Sequence, residues 1–115
     1  MSVLNVLAVV TVTDWKAGVS WYERFFGRPA DRNPMDGLAE WQVTAAGGLQ
    51  VVEDAERAGS SYVTLAVDDL EGHRAALSDR QVGAGEITRG EVASFAQVID
   101  PDGNTITLAQ DASTG

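Results

Sequence analysis

The sequence predicts an α+β fold in which two βαβββ modules form cupped mixed sheets around a central cleft. The first indication is a repeat: residues 7–14 (LAVVTVTD) match residues 62–69 (YVTLAVDD) at one constant offset, and self-similarity of this kind marks a duplicated unit. Each copy is an apolar run that ends in aspartate and leads into a helical segment. The second indication is that residues 28–60 lack a helical period and have room for three short strands. A ferredoxin-like domain would have only two strands between its helices.

The first module extends over about residues 1–54. Its opening strand is predicted at residues 3–12, and Asp14 is a suitable N-cap for a helix over residues 15–26, which Gly27 would terminate. Proline and glycine then interrupt the chain, so we predict a short strand near residues 28–33. A hairpin is predicted from residues 38–44 and 49–53, followed by a polar linker at residues 54–60.

The second module, about residues 61–110, repeats this plan. We predict a strand at residues 62–67, a helix capped by Asp69, and strands near residues 86–89, 94–99 and 105–109. Residues 100–104, DPDGN, join the last two strands, because proline and glycine favour a tight hairpin turn. The tail after Gln110 is expected to fray. The 115 residues therefore make a single domain of two modules.

The composition excludes several classes of function. The chain has no cysteine, which rules out disulfides, thiolate nucleophiles and zinc–thiolate sites. A net charge of −9 argues against nucleic acid as a partner, because binding there depends on neutralising phosphates. The charge favours neutral or cationic small molecules, although an acidic surface also serves solubility alone.

The hydropathy pattern predicts a location as well. No apolar run approaches the ~20 residues that a membrane span requires, so we expect no membrane partner. The N-terminal sequence MSVLNVLAVV has neither basic residues nor a small-residue cleavage site. We therefore expect no secretory signal and a cytoplasmic location.

Strand alternation gives each predicted strand one face toward its helix and one toward the cleft. Val10, Val12, Ile106 and Leu108 should pack beneath the helices. The opposite positions then form a mainly apolar pocket with a few neutral hydrogen-bonding groups, which is typical of a small-molecule site. A cleft filled by its own side chains, or used for dimerisation, is the alternative. The predicted ligand-binding residues are Leu7, Val9, Thr11, Trp41, Gln50, Tyr62, Thr64, Phe95, Gln97 and Thr107.

Tyr62 is the best catalytic candidate among these residues, because its phenol can donate to an oxyanion or stack on an aromatic ligand. We predict a binding role for it, since the pattern shows no partner base. Trp41 faces either the core or the cleft, because the register of its strand is not fixed. We expect His73 on the second helix rather than in a metal site, and mostly solvated carboxylates at Glu40, Glu53, Glu86 and Glu91.

The chain resembles the vicinal oxygen chelate superfamily, which includes glyoxalase I, extradiol dioxygenases, fosfomycin-resistance enzymes and bleomycin-resistance proteins. The Val-Asp-Asp-Leu sequence at residues 67–70 is similar to the entry of its second module. Trp21-Tyr22 followed by Phe26-Gly27 is similar to the end of its first helix. The turn at residues 100–104 and the strand behind it resemble its C-terminal hairpin. With the duplicated βαβββ plan, the resemblance covers residues 3–110.

The resemblance implies where a metal would bind. In metal-using members a divalent ion lies in the cleft, held by His or Glu from the first and last strands of each module. The matching positions here are Leu7, Tyr62, Thr107 and Gln50, or Val52 in place of Gln50 if the register shifts. First-row metals need imidazole, carboxylate or thiolate ligands, so we predict no metal and expect no cofactor.

The resemblance also implies a homodimer and a small-molecule ligand. The leading hypothesis is a metal-free member that binds a small apolar or aromatic organic molecule in the cleft between the modules. The alternative is a lyase, isomerase or dioxygenase of the same superfamily, which uses either a metal with unexpected ligands or acid–base chemistry by Tyr62 and a cleft glutamate. The sequence leaves open whether the protein is an enzyme, and it does not identify the ligand.

Overall fold

The duplicated sequence folds into two βαβββ modules, which the computed structural model describes over residues 2–112. Module one contains β1 (Val6–Val12), α1 (Trp15–Phe26), β2 (Arg32–Met35), β3 (Leu38–Thr44) and β4 (Gly47–Glu53). Module two contains β5 (Tyr62–Ala66), α2 (Leu70–Asp79), β6 (Thr88–Arg89), β7 (Ala93–Ile99) and β8 (Thr105–Asp111). The predicted order of elements and the α+β class are therefore confirmed.

Several element boundaries differ from the prediction. β1 begins at Val6 rather than at residue 3, because its register with β4 begins there. β2 lies at Arg32–Met35 rather than at residues 28–33, since Arg28 and Asp31 bond to each other in the preceding loop at 2.6 Å. β8 extends to Asp111, which is two residues beyond the predicted end of the strand and one residue into the tail that was expected to fray. Residues 113–115 of that tail lie outside the described residues.

Each module forms one mixed sheet with the same topology. The strand orders are β1-β4-β3-β2 and β5-β8-β7-β6, so the first strand of each module lies beside the last. That pair, at one edge of each sheet, is parallel, and the remaining pairs are antiparallel. The register aligns Val10 with Val51 and Leu65 with Leu108. These residues share the face that packs against the helices.

The helices begin where the sequence places their caps. The Asp14 carboxylate accepts a hydrogen bond from the Ala17 N–H at 3.2 Å, and Asp69 accepts one from Gly72 at 3.0 Å. Such bonds satisfy N–H groups that the first helical turn leaves free. Gly18 lets α1 lie close to β1, because an added Cβ there would come within 2.9 Å of a Val12 methyl. Neither helix in residues 2–112 is long and apolar enough to cross a membrane.

Aromatic side chains of module one fill the centre of the core. Trp21 and Phe25 of α1 stack with ring centroids 5.4 Å apart, and the fully buried Tyr22 lies edge-on to Trp21 at 4.7 Å. The Tyr22 hydroxyl donates to the buried Asp100 carboxylate at 2.8 Å. Burial and this carboxylate raise the pKa of Tyr22 far above its ordinary range. The phenol is therefore a permanent donor, and it joins α1 to the second module.

Two hydrogen-bond networks join the modules. At one end the Asn104 amide donates to the Thr11 carbonyl at 2.8 Å and accepts from the Ser61 N–H at 2.9 Å. At the other end the Arg80 guanidinium, just beyond α2, donates to the carbonyls of Arg24 and Phe25 in the last turn of α1. A cation is favoured at the C-terminus of a helix, where carbonyls lack partners. Both networks fix the relative position of the modules.

Candidate functional site

The candidate site lies on the face of each sheet that carries no helix, which we call the open face. Successive side chains of a strand point to opposite faces, so the buried residues Val10 and Val12 place their neighbours in β1 on the open face. The strand register extends this assignment across both sheets. The predicted site residues on the open faces are Leu7, Val9, Thr11 and Gln50 in module one, and Tyr62, Thr64, Phe95, Gln97 and Thr107 in module two.

Trp41 is the exception among the predicted site residues. Its side chain is fully buried on the helix side of β3, where its ring stacks on Phe26 with centroids 5.4 Å apart. The indole Nε1 donates to the Arg28 carbonyl at 3.0 Å, so its polar atom is satisfied inside the core. The sequence left open whether Trp41 faces the core or the cleft. It faces the core, so its inclusion among the predicted ligand-binding residues was wrong.

The open faces expose large apolar side chains in a single copy of the chain. Tyr62 is 80% exposed, Ile99 52% and Val9 45%. Phe95 and Leu7, at 38% and 37%, are only partly covered. Clustered apolar exposure of this kind marks a surface that contacts a ligand or another protein. One copy therefore presents the two open faces without enclosing them.

A buried carboxylate lies at the centre of the open face of module one. Glu40 of β3 is 6% exposed, in contrast to the solvated position expected for it. Its Oε1 accepts a hydrogen bond from Nε2 of Gln50 at 3.0 Å, and Nε of Arg32 lies 3.6 Å from Oε2. Burial of a carboxylate is costly unless such partners are present. The sequence analysis named Glu40 only among carboxylates expected to be solvated, although assigning its neighbour Trp41 to the core would have turned Glu40 toward the open face.

The Glu40 carboxylate fixes the orientation of the Gln50 amide. An ionised carboxylate only accepts hydrogen bonds, so Gln50 must present its NH₂ group to Glu40. The carbonyl oxygen of the same amide then remains available as an acceptor. The open face of module one thus offers acceptor atoms to a ligand that carries an N–H or O–H group.

The open face of module two carries neutral hydrogen-bonding groups in a row. The register aligns Thr64 of β5 with Thr107 of β8, and Thr107 with Gln97 of β7. Within residues 2–112 these three side chains make no hydrogen bond, and neither does the Tyr62 hydroxyl. Phe95 lies one row away, opposite Ala109. Unpaired donors and acceptors beside an aromatic ring can orient a small molecule.

The donor set does not fit the metal site of the superfamily. Leu7 has no donor atom, Gln50 offers a carbonyl oxygen, and the hydroxyls of Tyr62 and Thr107 are weak ligands when neutral. The part of the chain that the structure describes contains no group of three or more His, Asp or Glu residues able to hold a metal ion. His73 lies on α2, on the helix side, with Nε2 3.8 Å from Asp68. We therefore derive no chemistry through a metal.

Comparison with solved structures identifies proteins of the same architecture. A glyoxalase / bleomycin resistance protein from Catenulispora acidiphila DSM 44928 is 31% identical, with a TM-score of 0.87 over 93% of this chain and 97% of that one. TnmS3, an antibiotic-binding protein from Streptomyces sp. CB03234, is 25% identical, with a TM-score of 0.81 over 97% and 99% of the two chains.

A third similar structure is a bleomycin-binding protein in complex with bleomycin, at 19% identity and a TM-score of 0.70 over 96% of this chain and 99% of that one. At this identity the similarity shows the fold alone. No protein-family model matches the chain. No curated protein sequence matches it either.

Proposed function

The chain belongs to the glyoxalase / bleomycin resistance proteins of the vicinal oxygen chelate superfamily, and we propose that it binds a small apolar or aromatic organic molecule without a metal. The site would be the cleft that the open faces line. The observation that carries the proposal is the row of unpaired neutral groups, Thr64, Gln97 and Thr107, flanked by the apolar side chain of Phe95. A similar protein described as antibiotic-binding supports a ligand of this kind.

The binding unit that we propose is a cytoplasmic homodimer. Tyr62, Ile99 and Val9 are too exposed in one copy to enclose a ligand. A second copy that covers these side chains would bury them and close the cleft at the same time. Sedimentation equilibrium at micromolar concentration tests this directly. A monomer that nevertheless binds the ligand would overturn the dimeric part of the proposal.

Burial of apolar surface would supply most of the affinity. A ligand that loses about 300 Å² of apolar area to the cleft gains about 7 kcal/mol, before the free-energy cost of association. The neutral side chains on the open faces would then fix its orientation, because an unpaired donor or acceptor disfavours the wrong pose. About 7 kcal/mol corresponds to a Kd of about 10 μM, so we expect the affinity to be weaker than this once the cost of association is subtracted.

A thermal-shift screen against a library of antibiotics and aromatic compounds tests the binding proposal. A ligand at 100 times its Kd adds about 2.7 kcal/mol of stability, which raises the Tm of a domain of this size by several degrees. Gln97→Ala should weaken binding of any hit, whereas Asp36→Asn, in an exposed turn of module one, should leave it unchanged. A cleft that is filled by its own side chains predicts no shift with any compound.

An acid–base enzyme is the second candidate, and the burial of Glu40 favours it. Glu40 on the open face of module one supplies a carboxylate, and Tyr62 on that of module two supplies a phenol. A pH–rate profile on any substrate that turns over, with Glu40→Gln and Tyr62→Phe beside the wild type, separates catalysis from binding. Loss of turnover with unchanged affinity would establish the enzyme.

The metal-dependent alternative needs its own measurement. We expect protein purified without chelator to contain no stoichiometric transition metal, because the four positions that the superfamily uses hold weak or absent donors. Elemental analysis by mass spectrometry measures this content. One metal ion per chain, lost together with ligand binding on dialysis against a chelator, would contradict the proposal.

A further inference from the structure

A cavity lies between the modules on the helix side, away from the open faces. It has a volume of about 580 Å³, within the range of small-molecule sites. A smaller cavity of about 300 Å³ continues it and shares Val43, Thr44, Leu65 and Ala66 with it. We call the larger cavity the inter-module groove. Its apolar wall is formed chiefly by Phe26, Val43, Leu65, Val67, Leu77 and Leu108.

The inter-module groove stays open because hydrogen bonds hold the two modules in a fixed relative position. Arg80, which lines the groove, donates to the Arg24 and Phe25 carbonyls, and Tyr22 donates to Asp100 elsewhere along the junction. Closing the groove would break these bonds and leave buried polar groups without partners, at about 1–3 kcal/mol for each group. Leu65 and Val67 of the wall therefore stay only partly buried, whereas Leu77 and Leu108 beneath them belong to the buried core.

The charges at the mouth of the groove favour a cation. Asp68 lines the mouth with a side chain that is 96% exposed, and its Oδ1 lies 3.8 Å from Nε2 of His73, too far for a hydrogen bond. Arg80 also lines the groove and keeps its positive charge, but its guanidinium is bound at the C-terminus of α1, where the helix carbonyls offset that charge. The Asp68 carboxylate is thus available to an incoming ligand, and the net charge of −9 adds attraction in the same direction.

We propose that the inter-module groove is a second binding site, which takes a small amphipathic amine. The aromatic or aliphatic body of the amine lies against Leu65, Leu77 and Leu108, and its ammonium group pairs with Asp68. This site is separate from the cleft, because Leu65 and Leu108 point to the helix side of the sheet. It does not depend on what the open faces bind.

A matched pair of probes tests the proposal on the wild-type protein. 1-Naphthylmethylamine and 1-naphthylacetate have the same ring and opposite charges. In methyl NMR titrations we expect the amine to shift the methyl signals of Leu65, Leu77 and Leu108 and to show intermolecular NOEs to them. The acetate should bind at least 3-fold more weakly. Equal affinity for both probes, shifts confined to Leu7 and Val9, or no saturation by about 5 mM would overturn the proposal.

Two substitutions with matched controls locate the binding. Ala76→Phe places a ring in the groove, which Ala76 lines. We expect it to weaken binding of the amine at least 10-fold. Ala75→Phe adds the same ring at the adjacent position of α2, which lines a different cavity, and should have no effect. Asp68→Asn should weaken binding of the amine about 3- to 10-fold, whereas Asp36→Asn should leave the affinity unchanged.

Unchanged amine affinity in Ala76→Phe would refute the assignment of the site. If Ala76→Phe does not fold, the NOEs in the wild-type protein decide the question alone. A third result is that the wild type binds neither probe while Ala76→Phe changes the molecular mass in solution. The groove would then be an interface between protein chains, and the proposal would be wrong.

Discussion

The two modules share one arrangement of strands but differ in what their helices add to the core. At the constant offset of the repeat, Trp21 of α1 corresponds to Ala76 of α2, and Phe25 corresponds to Arg80. Trp21 and Phe25 are 7% and 5% exposed, and Phe25 borders the inter-module groove from one side, while the smaller Ala76 and the polar Arg80 border it from the other. The groove thus lies where module two lacks the rings that fill the equivalent space in module one. One aromatic helix is enough to build the core, which leaves the other free to border a cavity.

The open faces differ in the same direction. In module one the polar groups Glu40 and Gln50 satisfy each other at 3.0 Å. In module two Thr64, Gln97 and Thr107 have no side-chain hydrogen bond within the described residues. Module one is therefore the more complete half, both in its core and in its polar contacts. Module two presents the unfilled space and the unpaired groups that a ligand requires.

The largest expected effect compares the two cores. Trp41→Ala should lower the free energy of unfolding by about 3–5 kcal/mol, because its fully buried ring stacks on Phe26 and bonds to Arg28. Leu77→Ala should lower the free energy of unfolding by about 2–3 kcal/mol, since Leu77 is a smaller buried side chain and borders the groove. Urea denaturation measures both. A greater loss for Leu77→Ala would show that module two carries as much of the core as module one.

The next effect tests the contact between the modules. Asn104→Ala should lower the free energy of unfolding by about 3 kcal/mol, because it removes a buried amide and leaves the Thr11 carbonyl and the Ser61 N–H without partners. Asp102→Asn is the control, since it keeps an oxygen that can accept from the Thr13 N–H. Chemical denaturation of the two variants gives the comparison. Equal losses would mean that the turn, rather than the Asn104 amide, holds the modules together.

A smaller effect separates the open faces. Gln50→Ala should lower the free energy of unfolding by about 1–3 kcal/mol, because it leaves the buried Glu40 carboxylate without its closest donor. The same truncation in module two, Gln97→Ala, should change the free energy of unfolding by no more than about 0.5 kcal/mol, since that exposed amide has no hydrogen-bond partner within residues 2–112. The double variant Gln50→Ala, Glu40→Gln should regain stability, because the uncompensated charge is gone. Similar losses at Gln50 and Gln97 would remove the distinction between the two faces.

The sequence is sufficient for the features that depend on local pattern. The repeat predicts both modules, and the caps at Asp14 and Asp69 predict where the helices begin. Strand alternation also places Val9 and Thr64 on the same kind of face. The burial of Glu40 is not predictable in this way, because alternation relates neighbouring residues without saying which of them faces the core. The contact of Arg80 with α1 joins distant positions, and it leaves no periodic signal.

The smallest expected effect is on the pH dependence of stability, and it compares the buried Tyr22 of module one with the exposed Tyr62 of module two. Burial and the Asp100 carboxylate raise the pKa of Tyr22 in the folded state, whereas the unfolded phenol titrates near its ordinary value of about 10. A raised folded-state pKa stabilises the fold fully below about pH 10, and this stabilisation is lost as pH rises toward the folded pKa. Tyr22→Phe should lower the free energy of unfolding by about 1 kcal/mol at neutral pH. Between pH 8 and pH 11 the variant should lose less stability than the wild type. Tyr62→Phe, which removes the same hydroxyl from an exposed side chain, is the matched control. If the wild type and Tyr22→Phe lost the same stability at alkaline pH, the ionisation of Tyr22 would not contribute to the pH dependence of folding.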